Sequence, residues 1–156
     1  MTSGEHDKTD DFRYSLVAPA NNQAGCVSIR SHNWPNRHVC VCDPTGGTSV
    51  GGCACNGGTN SLEVGRLGIA ELNSNNADAC SWKIVPGLAD PTNASLKSLI
   101  SMSSQFKNAY MSLDGELIGG AYCHGDFSSY SSSTDVALNL NPPAKNATFM
   151  FIDYPE

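Results

Sequence analysis

Four cysteines stand in two C-x-C pairs on either side of a glycine-rich stretch, a pattern that offers either disulfide or metal chemistry. The stretch is HVCVCDPTGGTSVGGCACN, and its cysteines are Cys40, Cys42, Cys53 and Cys55. In a hairpin folded about the glycines, Cys40 lies opposite Cys55 and Cys42 opposite Cys53, and strand alternation places all four thiols on one face. Oxidised, they form cross-strand disulfides, whereas four reduced thiolates hold a zinc ion. The C-x-C spacing is tighter than the usual knuckle of a zinc site, so we favour disulfides and keep the metal as the alternative.

A second cluster has the residue types of a sugar-binding surface. Trp34 lies in the turn NWPN, and polar side chains surround it in the sequence. An aromatic ring packs on the apolar face of a sugar while neighbouring donors and acceptors bind its hydroxyls. The ligand-binding candidates are therefore Asn33, Trp34, Arg37 and His38. The alternative is that Trp34 only caps the core from its turn.

Catalytic patterns are missing from the sequence. It contains no G-x-S-x-G nucleophile motif, no H-E-x-x-H motif and no phosphate-binding glycine loop. A glycosidase needs two carboxylates that face one cleft, and the spacing of carboxylates such as Asp78 and Asp114 does not bring two together. We expect a protein that is not an enzyme and carries no cofactor.

The elements that must position these residues are strands. Short apolar runs and period-2 alternation fill the chain, separated by segments such as NNQAG and LNPPAKN that are rich in turn-forming residues. The dipeptide Asp114-Gly115 between two such runs is a strong hairpin signal. The sequence therefore predicts an all-β protein of ten to twelve short strands.

One passage occurs twice. The first copy runs through CVSIRS (26–31) and RHVCV (37–41) to CSWKIVPGL (80–88), and the second through SLISMSS (98–104) and AYMSL (109–113) to ATFMFIDYP (147–155). A third closing strand, FRYSLVAP (12–19), precedes both. The aromatic residues that head the closing strands are Phe12, Trp82 and Phe149. Self-similarity of this kind predicts repeated units around a shared core.

The amino-acid sequence of the repeat resembles that of a known family. SWKIVPGLAD (81–90), VSIRSHNWPNR (27–37) and NATF (146–149) are similar to the recurring pattern of the carbohydrate-binding domain of arabinofuranosidase B, the family 42 carbohydrate-binding modules. The resemblance implies a β-trefoil of three subdomains, each with a pocket for an arabinofuranose side chain. Since only two copies of nearly 70 residues are visible, we expect a trefoil with long loop insertions and a degenerate third around residues 48–76. A two-fold β-sandwich is the alternative.

The resemblance also implies where a pocket would lie. In that family a His and an Asp bind the sugar hydroxyls, and here Val41 and Leu113 stand at the His positions. Ala79 and Asn146 stand at the Asp positions, with Asp78 beside Ala79. Four further ligand-binding candidates follow from these positions and the adjoining turn: Asp78, Tyr110, Asp114 and Asn146.

The resemblance implies one disulfide as well, Cys26–Cys80, because the family often bridges those two places. Cys123 then remains as a single thiol. Many cysteines and two glycosylation sequons, at Asn93 and Asn146, favour a secreted protein.

Composition bounds the remaining possibilities. At 156 residues we expect one domain, residues 12–156, after a disordered polar tail, residues 1–11. The net charge of −6 with scattered Lys and Arg argues against a nucleic-acid partner, and no apolar run reaches the length of a membrane span. Together with these bounds, the resemblance implies a non-catalytic, secreted module that binds a plant or microbial wall glycan. The alternative is a secreted β-trefoil interaction protein, an effector or inhibitor, that has lost sugar binding.

Overall fold

The structure, a computed structural model, describes residues 13–43, 49–50, 53–54, 67–112 and 137–152, and this part of the chain is built from strands. The elements are β1 Tyr14–Val17, β2 Cys26–Ser31, β3 Arg37–Val41, β4 Ser49–Val50, β5 Cys53–Ala54, β6 Leu67–Glu71, β7 Trp82–Pro86, β8 Leu96–Ser101, β9 Tyr110–Ser112, β10 Ala137–Asn139, a 3-10 helix Ala144–Ala147 and β11 Phe149–Met150. The predicted all-β class is confirmed.

Nine of the strands join in one antiparallel sheet, and β4 and β5 form a separate two-stranded ribbon. The main path runs β10-β9-β8-β7-β2-β3-β6, with β1 beside β2 and β11 beside β8. β2 is shared between neighbours, because its first residues pair with β7 and Arg30 pairs with His38 of β3. β8 is shared in the same way between β11 and β9.

The pairings repeat, and they define two copies of one four-stranded unit. β2, β3, β6 and β7 form the first copy, and β8, β9, β10 and β11 form the second. In each copy the first strand pairs with the second and the closing strand, and the second pairs with the third. The closing strand of the first copy then pairs with the first strand of the second. β1 pairs with β2 in that same manner, so it is a third closing strand.

The register corrects the predicted heads of the closing strands. Tyr14 lies opposite Ser31 of β2, and Trp82 lies opposite Ser101 at the same place of β8. Trp82 and Phe149 are likewise matched by their partners Val27 and Lys97. The three heads are therefore Tyr14, Trp82 and Phe149, spaced 68 and 67 residues apart. The predicted head Phe12 lies outside the described residues.

Residues 67–71 do not begin a separate degenerate third. They form β6, which pairs with β3 over its whole length, as β10 pairs with β9 in the second copy. The prediction of a third unit around residues 48–76 is therefore wrong for this strand. A period-2 pattern shows that a strand is present, but it does not show which neighbour the strand pairs with.

Side-chain hydrogen bonds repeat along with the strands. Ser28 Oγ donates to the Cys80 carbonyl at 2.7 Å and accepts from the Ala20 amide. In the second copy Ser98 Oγ donates to the Ala147 carbonyl at 2.5 Å and accepts from the Leu88 amide. Both serines are fully buried, so these bonds satisfy backbone groups that water does not reach.

One apolar core serves both copies. Trp82 lies at its centre with no exposed surface, and its Nε1 donates to the Val39 carbonyl at 3.1 Å. Ile29 and its counterpart Leu99 contribute from the first strands of the two copies. Phe149 packs against the cluster from β11. Trp82 and Phe149 therefore have the core roles that the sequence predicts for them.

Candidate functional site

Trp34 is exposed on the turn between β2 and β3. The turn begins where the Trp34 amide bonds Ser31 Oγ, and it closes where the Arg37 amide donates to the Trp34 carbonyl at 2.7 Å. The Trp34 side chain is 51% exposed, and the Arg37 guanidinium carbon lies 5.2 Å from its ring centroid. This distance is that of a cation–π contact, which favours this arrangement of the ring and the guanidinium.

Two further polar side chains lie next to Arg37, one in the chain and one in the sheet. Asn36 Nδ2 donates to Glu71 Oε1 at 2.7 Å, and Glu71, the last residue of β6, lies directly opposite Arg37 in the sheet. We call Trp34, Asn36, Arg37 and Glu71 the Trp34 patch. Asn33 adjoins it in the turn and is half-buried. Arg37 therefore lies between the aromatic ring and a hydrogen-bonded pair of amide and carboxylate.

Sequence reasoning found Trp34 and Arg37 but missed Asn36 and Glu71. Asn36 belongs to the same turn NWPN as Trp34, so the turn itself is a signal that identifies it. Glu71 was missed because β6 was assigned to another unit, and only the β3–β6 register brings it opposite Arg37.

His38 does not belong to this surface. Alternation turns its side chain to the other face of β3 from Arg37, where it is buried. Its Nδ1 has no hydrogen-bond partner among the described residues. Burial, together with the neighbouring Arg30, lowers the pKa of His38 from its usual value. The prediction that His38 belongs to the exposed ligand-binding cluster around Trp34 is therefore wrong.

The other described candidates lie on other elements of the chain than the Trp34 patch. Asp78 accepts a hydrogen bond from Asn21 Nδ2 at 2.9 Å and ties two loops together. Tyr110, half-buried on β9, lies opposite Asn139 of β10 and stands at the repeat position of His38. Asn146 lies in the 3-10 helix, and Asp114 lies outside the described residues. Tyr110 and Asn146 lie on elements of the second copy that contact each other, whereas Asp78 lies in a loop of the first copy.

The first copy has core side chains at both positions where the sequence resemblance implies a sugar pocket. Val41 and Ala79 are neighbours, because the Val41 amide donates to the Ala79 carbonyl at 2.9 Å. Both are buried members of the core cluster. Two apolar side chains that pack together leave neither a polar group nor an opening for a sugar hydroxyl. A pocket of the family's kind is therefore not formed by these two residues.

Cys40 and Cys80 form a disulfide, with their Cα atoms 4.1 Å apart. Cys26 is instead a free, buried thiol, so the predicted Cys26–Cys80 bridge is wrong. The register explains the error: Cys26 lies opposite Lys83, and Ser28 is the β2 residue that reaches the Cys80 carbonyl. Burial raises the pKa of the Cys26 thiol and so disfavours its reactive thiolate.

The predicted cysteine hairpin folds about a different point. Val50 lies opposite Cys53, and Cys40 lies opposite Gly68 of β6. The predicted Cys40–Cys55 bridge is therefore wrong, and the alternative zinc site loses Cys40 to a disulfide. Cys42 is also disulfide-bonded. Its predicted bond to Cys53 stays a prediction, because the side chains of Cys53 and Cys55 lie outside the described part of the chain.

Comparison with known proteins finds no family model that matches this sequence and no curated protein that matches it. Within the described ranges, no helix is long and apolar enough to cross a membrane. The same ranges hold no group of three or more metal-ligating side chains placed to bind an ion.

Proposed function

We propose that the protein is a non-catalytic glycan-binding module and that the Trp34 patch is its binding surface. The observation that carries the proposal is that Trp34 is exposed where the second copy has a buried aromatic. Phe106 stands at the same place of the second copy, since its carbonyl accepts from the Ala109 amide as that of Trp34 accepts from Arg37. Phe106 is 6% exposed and belongs to the core.

The patch has the chemistry that a sugar requires. Arg37 lies at one face of the indole, and a half-exposed ring retains surface on which the C–H face of a pyranose or furanose stacks. Asn36 and Glu71, which adjoin Arg37 in the chain and in the sheet, supply a carboxamide and a carboxylate that can bind sugar hydroxyls. For the ligand we propose a neutral oligosaccharide of a plant or microbial wall, as the sequence resemblance implies.

For the architecture we propose a β-trefoil derivative. Two complete four-stranded units and an additional closing strand support it, as does the sharing of β2 and β8 between neighbouring strands. For location we propose secretion, which the Cys40–Cys80 bridge and the bonded Cys42 favour because disulfides persist in oxidising compartments.

A glycan array bearing arabinose, galactose and glucan oligosaccharides tests the binding proposal. We expect some of these oligosaccharides to bind the wild type. Their binding should be lost in Trp34→Ala and weakened in Arg37→Ala. Leu140→Ala is the matched control, since Leu140 is an exposed apolar residue of the second copy. Oligosaccharide binding that persists in Trp34→Ala would show that the site lies elsewhere. The absence of binding to any oligosaccharide on the array would refute the proposal.

Protein binding is the second candidate function. The observation that favours it is a set of exposed apolar side chains on β1 and just after β11. If the array shows no binding and a protein is retained specifically in a pull-down, this candidate replaces the first.

A further inference from the structure

The two glycosylation sequons of the chain lie in different structural settings. Asn93 lies in the turn between β7 and β8, and Asn146 lies in the 3-10 helix that precedes β11. A sequon of this kind accepts an N-linked glycan on the side-chain nitrogen of its Asn, and the hydroxyl two residues later defines it as an acceptor. The state of that nitrogen and that hydroxyl therefore decides whether the folded chain accepts a glycan.

The turn that contains Asn93 is exposed and is held by its own hydrogen bonds. Residues 89–95 are all exposed. Asp90 Oδ1 accepts hydrogen bonds from the Thr92 amide at 3.1 Å and from the Thr92 hydroxyl at 2.6 Å. The Asn93 carbonyl accepts from the Leu96 amide at 3.1 Å. These bonds maintain the turn without using the side-chain nitrogen of Asn93.

The acceptor atoms of this sequon are not used by the fold. Asn93 Oδ1 accepts a hydrogen bond from the Ser95 amide at 3.0 Å, which holds the carboxamide through its oxygen. Asn93 Nδ2 and the Ser95 hydroxyl have no hydrogen-bond partner among the described residues. Both groups are therefore exposed and uncommitted in the folded chain.

The sequon at Asn146 is used by the fold. Thr148 Oγ1 donates to the Ala144 carbonyl at 2.7 Å and accepts from the Ala89 amide at 3.0 Å. Asn146 is half-buried, and its amide donates to the Pro143 carbonyl at 2.9 Å. A transferase reaches the Thr148 hydroxyl only after both of its hydrogen bonds break, which requires local opening of this segment.

The corresponding turn of the first copy contains no sequon. The Gln23 carbonyl accepts from the Cys26 amide at the start of β2, as the Asn93 carbonyl accepts from the amide at the start of β8. Gln23 therefore stands at the position of Asn93, and Gly25 stands at the position of Ser95. Neither residue supplies what an acceptor needs, so the exposed sequon belongs to the β7–β8 turn and not to the repeat.

The Asn93 turn and the Trp34 patch lie at opposite ends of β2. β7 pairs with the first residues of β2 and runs past them to Pro86, after which the Asn93 turn begins. The turn that carries Trp34 instead follows Ser31, the last residue of β2. A glycan on Asn93 is therefore attached at the other end of these strands from the proposed binding surface.

We propose that Asn93 is an N-linked glycosylation site of the folded chain and that the fold withholds Asn146 from the same reaction. Asn93 Nδ2 forms a bond to the anomeric carbon of an oligosaccharide, and the bond from that carbon to the pyrophosphate of a polyprenyl carrier breaks. The polyprenyl pyrophosphate leaves, and Nδ2 gives up one proton to the transferase. The inference rests on the proposed secretion, because the lipid-linked donor and its transferase belong to the secretory route.

The folded chain and the same chain after reduction and denaturation are the two substrates of the test. Each is incubated with a detergent-solubilised oligosaccharyltransferase and a polyprenyl-pyrophosphate oligosaccharide. Enzymatic release of the glycan in heavy-oxygen water then marks each modified Asn for peptide mass spectrometry. In the folded chain the occupancy of Asn93 should exceed that of Asn146 at least about tenfold, since Asn146 reacts only in locally opened molecules. The denatured chain should be modified at both residues.

Ser95→Ala and Ser95→Thr provide the matched variants. Ser95→Ala should abolish modification of Asn93, because it removes the hydroxyl that completes the sequon, whereas Ser95→Thr should preserve it. Both variants should melt close to the wild type, since Ser95 is exposed and its hydroxyl has no partner among the described residues. Asn146→Gln should leave the glycan content of the folded chain unchanged.

The enzymatic assay needs no export of the chain, so it tests Asn93 separately from the proposed location and binding activity. Modification of Asn93 in a chain that binds no oligosaccharide on the array would refute the glycan-binding function and support this inference. A folded chain left unmodified at Asn93, when the denatured chain is modified there, would overturn the inference. Equal occupancy of Asn93 and Asn146 in the folded chain would overturn it as well.

Discussion

Trp34 and Phe106 occupy the same position of the repeated unit, yet Trp34 is 51% exposed and Phe106 is 6% exposed. Both lie in the turn between the first and second strands, three residues before the amide that closes it. The turn of the second copy is two residues longer, from Ser101 to Ala109 compared with Ser31 to Arg37. The longer turn lets Phe106 reach the core, whereas the shorter turn leaves Trp34 against Arg37 on the surface.

The two aromatic residues should therefore differ in their contribution to stability. Phe106→Ala should lower the free energy of unfolding by about 3–5 kcal/mol, because it empties a core site. Trp34→Ala should change it by less than about 0.5 kcal/mol, as is usual at exposed positions. Urea unfolding followed by circular dichroism measures both. A loss above about 1 kcal/mol for Trp34→Ala would identify Trp34 as a structural cap and remove the basis of the glycan site.

The bridge between Cys40 and Cys80 should carry a large share of stability. It joins residues 40 positions apart, and the loop-entropy relation gives about 4 kcal/mol for a loop of that length. The double variant Cys40→Ala with Cys80→Ala should lose roughly that amount in urea unfolding.

Cys26→Ala is the control for that variant, because Cys26 is a free thiol and its removal breaks no bridge. Peptide mapping without reduction should recover the segments containing Cys40 and Cys80 as one linked species. Cys26 should become alkylated only after denaturation, since the side chain is buried. Recovery of a species that links Cys26 to Cys80 would contradict the observed pairing.

The sequence was sufficient for the strand class, the two copies and the core roles of Trp82 and Phe149, because alternation and repetition are local signals. It was not sufficient for the pairing of β6 with β3 or of Cys40 with Cys80. Both depend on register between segments that are distant in sequence, and a shift of one residue reverses every side chain. The same β3–β6 register places Glu71 opposite Arg37, and the sequence alone does not give it.

The stability of the fold should depend on pH through His38. Its pKa is lowered by burial and by Arg30, so the folded state favours the neutral ring more than the unfolded chain does. The corresponding stability is present above about pH 6.5 and is lost as the pH falls below that value towards the folded-state pKa. Urea unfolding at pH 7.5 and 5.5 should show a smaller pH-dependent loss in His38→Gln than in the wild type.

His32→Gln is the matched control for the pH experiment, because His32 is exposed and lies six residues earlier in the same turn region. It should leave the pH-dependent loss of the wild type in place. His38→Tyr provides a second variant, since Tyr110 stands at the repeat position of His38. An identical loss between pH 7.5 and 5.5 in the wild type and both His38 variants would show that His38 does not set the pH dependence.

Ser112 and Ala147 are the second-copy counterparts of the bridged cysteines. Ser112 lies two residues after Tyr110, as Cys40 lies two residues after His38. Ala147 lies two residues before Phe149, as Cys80 lies two residues before Trp82. The carbonyls of Cys80 and Ala147 accept equivalent serine hydrogen bonds. Both Ser112 and Ala147 are fully buried, and Ser112 Oγ has no hydrogen-bond partner among the described residues.

The combined substitution Ser112→Cys and Ala147→Cys should therefore form a new disulfide without rearrangement of the sheet. Cys40 and Cys80 have a Cα separation of 4.1 Å, and the repeat gives the new pair the same setting. Unreduced peptide mapping should recover the two segments as one linked species, and the melting temperature should rise relative to the same protein after reduction of that bridge. Ser112→Ala alone is the control and should be neutral or slightly stabilising. It removes a buried hydroxyl that has no hydrogen-bond partner among the described residues. Two free thiols at these positions in the folded, oxidised protein would show that the copies differ in backbone geometry despite their matching register.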